Sequence, residues 1–156
     1  MIERAGIDEA SGRDLWLVTL AALEDFDGDE MPVGHSIVLL AADTHSLGEA
    51  AIHRVAAKLL DAGAVYICSW GPGCERLHDL VDDAVLFRQS PVSEEAVILS
   101  TWHTDEPLEE AVRFARSAAW PSSDYEDSCR SVVVVCVDDP RWAALARREL
   151  AMTRAH

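Results

Sequence analysis

The chain has 156 residues, the length of one domain able to bury a real core, and 49% of them are apolar. Its 28 acidic residues outweigh 13 basic ones, giving a formal net charge of −15 at pH 7. Such a surface repels nucleic-acid phosphates and anionic lipid heads, so no nucleic-acid or membrane role is expected, whereas a basic protein partner or a small-molecule ligand suits it.

The opening "MIERAGIDEASGRD" is polar and mixed in charge, without the apolar centre of a signal peptide, and no apolar run reaches bilayer length. A cytoplasmic protein is expected, with residues 1–13 as a flexible N-terminal stretch. "DLWLVTLAAL" (14–23) reads as a strand at an edge or paired antiparallel, because an acidic loop and not a helix connects it onward. Within that loop "DFDGDE" looks like a calcium loop. Its glycine comes too early, however, and Ser36 stands where a bidentate glutamate is needed, so the loop reads as solvated and mobile.

Four strand–helix units follow. "HSIVLLAAD" is an apolar run, and "SLGEAAIHRVAAKLLDAG" has a helical period with a Ser46/Glu49 capping box. "AVYICSW" leads into the helix "CERLHDLVDDAVLF", with His53 and His78 on polar faces of their helices. "EAVILSTWH" leads into "EPLEEAVRFARSAAW", capped by Thr104 or Asp105 with Pro107 in its first turn. "WPSSDYEDSC" (120–129) is a long loop and a candidate lid, and "SVVVVCVD" with Asp138-Asp139-Pro140 opens the last helix. Continuous apolar runs need cover on both faces. The expected fold is therefore α/β, a three-layer Rossmann-like single domain over residues 1–156. Its sheet is mostly parallel, of about five strands, with helices on both faces.

In a parallel sheet the strand C-terminal ends share one edge, and ligands bind in the crevice there. That edge gathers Asp43, Thr44 and His45; Cys68, Ser69, Trp70 and Cys74; Thr101, Trp102, His103, Asp105 and Glu106; and Asp138 and Asp139. Many of the Asp, Ser and Thr are equally explained as helix caps. Trp70 and Trp102 are not, and they mark a crevice rim whose ligand contacts would include Gly71, Gly73, Asp43 and Asp105. Cys74 is placed in the first turn of a helix, where the dipole favours a thiolate, with Gly71 and Gly73 free to let the backbone approach an anion. His103 is a candidate base, oriented by Asp105, Glu106 or Asp43.

The four cysteines are expected to be reduced thiols. A zinc set of Cys68, Cys74 and His103 with Asp43 or His45 has suitable ligand types, but no tight Cys-x2-Cys or His-x3-His spacing supports it, and neither metal nor cofactor is called for. The arginine of a Cys-x5-Arg phosphate loop is absent, and "GPGCER" is not Gly-x-Gly-x-x-Gly.

On "WGPGC" and "TWHTDEPLEEAVRFA" the chain resembles a family of small bacterial proteins that form a domain of unknown function. Their pattern is Trp-Gly-x-x-Cys and Thr-Trp-His-x-x-Glu/Asp-Pro-Leu. It falls here on Trp70, Gly71, Cys74, Asp82, Thr101, Trp102, His103, Glu106, Pro107, Leu108 and Phe114, and the likeness spans residues 64–119. The resemblance implies a fold and a marked sheet edge, and no reaction. Two functional expectations follow. One is a small acidic binding or regulatory domain, immunity-like in its charge, with a crevice for a ligand or protein segment. The other is a Cys–His enzyme using Cys74 and His103 for hydrolysis or group transfer. A structural subunit would instead bury both motifs.

Overall fold

In the computed structural model, which describes residues 1–88 and 97–153, the apolar runs become the strands of a single sheet. Its strands are β1 (Ile2–Ile7), β2 (Asp14–Leu20), β3 (His35–Ala41), β4 (Ala64–Trp70), β5 (Leu99–His103) and β6 (Cys129–Val137), in the spatial order β1-β2-β6-β3-β4-β5. All neighbours pair in parallel except β1 with β2. Among the described residues the helices are α1 (Glu49–Asp61), α2 (Cys74–Arg88), α3 (Leu108–Ser117) and α4 (Pro140–Ala151). None is long and apolar enough to cross a membrane.

The strands β3 and β6, in the middle of the sheet, are buried almost throughout, because helices cover both of their faces. Ile37, Leu39, Val132 and Val134 join α3 and α4 in one core. Val38, Leu40, Val133 and Val135 join α1 and α2 in the other. The alternation within each strand thus divides its residues between two apolar layers.

Several local expectations are corrected. The stretch read as a flexible N-terminus contains β1, which forms the antiparallel sixth strand. As a result β2 is an inner strand and not an edge: it pairs antiparallel, as one of the two alternatives had it, with β1, and parallel with β6. The acidic loop folds into two 3-10 turns that bury Leu23, Phe26 and Met31 beneath α1, with Lys58 donating to the Phe26 carbonyl at 3.2 Å. Buried anchors of this kind hold it as a packed connection. Helix α1 is capped by Gly48 without a side-chain bond, so the Ser46/Glu49 box does not form. Pro107 is itself the N-cap of α3, whereas Asp139 caps α4 by accepting from the Arg141 N–H at 2.9 Å. His78 is buried against Trp102 rather than solvated. The part of the third strand expected at residues 95–96 lies outside the described residues.

Candidate functional site

The loops at the C-terminal edge are locked to one another before any ligand is considered. After β3, the Ala42 N–H donates to the Trp70 carbonyl at 3.1 Å and the Thr44 N–H to the Pro72 carbonyl at 3.0 Å. The Thr44 hydroxyl donates to the Gly73 carbonyl at 3.1 Å, and Arg76 reaches back to the carbonyls of Thr44 and Leu47 at 2.9 and 2.8 Å. Gly71 sits at φ +109°, and a Cβ there would stand 2.4 Å from the Ala42 oxygen. Gly73, at φ +80°, would meet the Thr44 hydroxyl oxygen at 2.8 Å. Both glycines therefore let one backbone lie against another, and the approach they permit is to the β3 loop.

Cys74 opens α2 and is only 5% exposed. Its thiol lies 3.6 Å from the Thr104 hydroxyl. His103 is 6% exposed and packs at a tilt against Phe114, 4.6 Å between ring centroids. Its Nδ1 is 3.2 Å from the Glu106 carboxylate and its Nε2 is 2.9 Å from the Thr101 hydroxyl. The carboxylate accepts from Nδ1–H, and the Thr101 hydroxyl is the partner of Nε2. Both ring nitrogens are thus engaged, and among the described residues no hydrogen bond joins His103 to Cys74. The orienting acid is Glu106, and Asp105 and Asp43 do not take that part. Beneath this pair, burial pushes the Cys68 thiol up to about 12. Hydrogen bonding to Thr101 offsets part of the rise, and the negative charge of Glu106 adds to it.

The zinc set does not assemble: among the described residues no group of three or more His, Cys, Asp or Glu is placed to hold a metal ion. Asp43 and His45 pair with each other in the exposed β3 loop, the His45 N–H donating to Asp43 at 3.1 Å.

Register separates the two tryptophans. Trp70 pairs with His103 and Ser69 with Trp102, so the like-ending strands are offset by one residue and their tryptophans point to opposite faces. Trp70 lies on the α3/α4 face. It stacks edge to face on Trp142 at 5.0 Å, and its indole N–H donates to the Glu106 carbonyl at 2.8 Å. Trp102, 46% exposed, lies on the α2 face, 4.5 Å from the His78 ring, where Asp79 and Asp82 flank that imidazole at 3.1 and 3.4 Å.

The open space at this edge follows from topology. The helix after β4 joins one core and the helix after β5 joins the other, so their loops diverge and leave a crevice between them. That crevice has a volume of about 570 Å³ and is lined by residues 70–75, 103–106 and Trp142. It brings together Trp70, Gly71, Gly73, Cys74, His103 and Asp105, and it excludes Trp102 and Asp43. Among the described residues three acidic ones line it, Glu75, Asp105 and Glu106, and none of those lining it is Lys or Arg. Trp142 and Glu75 were missed in the sequence. The signal for Trp142 was its place two residues after Pro140, in the first turn of a helix that starts at this same edge. The loop 120–129 is remote from the crevice: Tyr125 and Ser128 contact His35, at the start of β3 and the opposite end of the sheet. It is not a lid for this site.

Fold and edge define an α/β domain with one mostly parallel sheet and an aromatic, acidic crevice where adjacent strands send their helices to opposite faces. The chain belongs to the family described as a domain of unknown function (DUF7684), which matches residues 15–152. No curated protein and no solved structure matches the chain.

Proposed function

We propose that this protein is a cytoplasmic binding domain of three-layer, Rossmann-like layout whose β4/β5 crevice receives a cationic group of a basic protein segment. The observation that carries this reading is the lining of the crevice: two tryptophans and three acidic residues, with no Lys or Arg among the described residues that line it. An ammonium or guanidinium over an indole face gains about 0.5–2 kcal/mol, and adjacent carboxylates add hydrogen bonds that shorten and strengthen when both partners are charged. The Trp70 and Trp142 rings brace one another, so little ordering is needed on binding. The net charge of −15 raises the local concentration of a basic partner, in keeping with a regulatory or immunity-like role. Catalysis by Cys74 and His103 has no comparable support, because the thiol faces Thr104 and the imidazole is held between Thr101 and Glu106.

The test is a titration of ¹⁵N-labelled protein with an acetylated, amidated single-arginine peptide and with its glutamate counterpart. The arginine peptide should shift the indole N–H signals of Trp70 and Trp142 and the amides of residues 71–75 and 104–106. Equal shifts with the glutamate peptide, or none with either, would refute the reading.

A further inference from the structure

The fold makes the same kind of crevice twice. Strand β3 is followed by α1 on one face and its neighbour β6 by α4 on the other, so the loops after β3 and β6 also diverge. The space between them, about 360 Å³, carries Asp43 from the β3 loop, Asp138 and Asp139 from the β6 loop, and Glu24 from the loop after β2. Asp139 is paired with Arg141 at 3.2 Å and Asp43 with the His45 ring at 3.6 Å, while among the described residues none of those lining the space is itself Lys or Arg. Pro72 and Trp142 line this second crevice and the first, so the two are adjacent depressions on either side of a shared wall.

The two crevices also match in construction. β5 is followed, after Thr104, by Asp105-Glu106-Pro107, and β6 is followed directly by Asp138-Asp139-Pro140. The first aspartate of each triplet is held in the left-handed region, at φ 61° and 55°, the only non-glycine residues so placed among the described residues. Each crevice thus presents an exposed aspartate of positive φ from the loop that leads into its helix, and Trp142 lines both crevices.

We infer that the two crevices act together, receiving two separated cationic side chains of one extended basic segment whose backbone crosses the Pro72–Trp142 wall. This rests on the binding reading above and adds its partner class: a peptide with spaced arginines or lysines rather than a single small amine. Charge complementarity selects the occupant, since among the described residues the carboxylates lining the two crevices have no Lys or Arg beside them in the lining, and the aromatic wall suits the aliphatic stem and face of an arginine. Two linked contacts also gain from effective concentration when the spacer spans the sites.

The experiment compares three acetylated, amidated peptides of equal length by calorimetry at low salt: one arginine in glycine, two adjacent arginines, and two arginines separated by four glycines, with shorter and longer spacers as a series. At the best spacing the separated pair should bind at least about tenfold tighter than the single arginine and tighter than the adjacent pair. That gain should collapse in Asp138→Asn, a substitution that keeps the left-handed backbone because asparagine tolerates it as well as aspartate. Equal affinity of adjacent and separated pairs at every spacing, or a gain that survives Asp138→Asn, would overturn the bridging while leaving the first crevice as a single-cation site. Failure of all three peptides to bind would overturn both.

Discussion

Trp70 stacks edge to face on Trp142, ring centroids 5.0 Å apart and planes at 85°, and so ties the end of β4 to the first turn of α4. Such a pair contributes about 0.5–1.5 kcal/mol beyond the area it buries. Trp142→Ala should therefore lower stability by about 2 kcal/mol and Trp142→Phe by less than half of that, read from urea midpoints. The Ala variant should also lose the arginine-induced shift of the Trp70 indole N–H, whereas the Phe variant keeps part of it.

Gly71 and Gly12 both adopt positive φ, but only Gly71 is crowded: a Cβ at Gly12 meets nothing within 4 Å. Gly12→Ala should cost about 1 kcal/mol, the conformational strain alone. Gly71→Ala must in addition push the Ala42 carbonyl away and should cost about 3 kcal/mol or more. Equal midpoints for the two variants would show that the β3 and β4 loops are not held together as described.

Asp8 and Arg116 form an ion pair at 2.6 Å, with side chains 1% and 5% exposed. Arg116 also donates to the carbonyls of Glu149 and Met152 at 3.0 and 2.8 Å, so one guanidinium joins the β1–β2 connection to α3 and to the end of α4. Burial pushes the Asp8 carboxyl up, yet hydrogen bonds from Arg116 and Ser11 outweigh it and hold the pKa below its ordinary value of 3.8. A depressed folded pKa contributes stability that is complete above the unfolded value and is lost as pH falls through the folded one. Asp8→Asn should therefore cost about 3–5 kcal/mol at pH 7, because it leaves a buried guanidinium uncompensated. The gap between wild type and variant should narrow as pH falls below about 4. Urea unfolding at pH 7, 5 and 3 measures it.

Burial pushes the thiols of Cys68 and Cys136 up to about 12, and that of Cys129 upward as well. At pH 8 a thiol raised that far, as in Cys68 and Cys136, is about one part in ten thousand thiolate, and Cys129 is buried as well. Iodoacetamide should leave all three unmodified in the native protein over an hour, and peptide mass spectrometry should find them fully alkylated only after unfolding. Modification of Cys68 under native conditions would contradict its closed position beside Thr101 in the sheet.

The alternation of strands and helices from β2 onward, the burial of β3 and β6 on both faces and the gathering of polar loops at one edge were all legible in the chain. Continuous apolar runs, helical periods and the residues that interrupt them are local features, and the parallel topology follows from their alternation. "WGPGC" and "TWHTDEP" were legible as edge motifs, and the crevice between β4 and β5 is built from both of them.

Which of those residues meet was decided by the tertiary structure. "CSWG" and "STWH" look like matched ends, yet the pairing of Trp70 with His103 sends the tryptophans to opposite faces, because a strand alternates with a period of two and one residue of offset inverts it. β1 escaped notice because its "IERAGI" has no apolar alternation; it is held by pairing with β2 and by Asp8 just beyond its end. Trp142 could not be coupled to Trp70 from sequence, since 72 positions separate them and only the packing of α4 against the sheet brings the rings into contact. Local chemistry thus determined the elements and the edge. The crevices, and the separation of Cys74 from a free imidazole, came from register and helix placement, which depend on contacts between residues far apart in the chain.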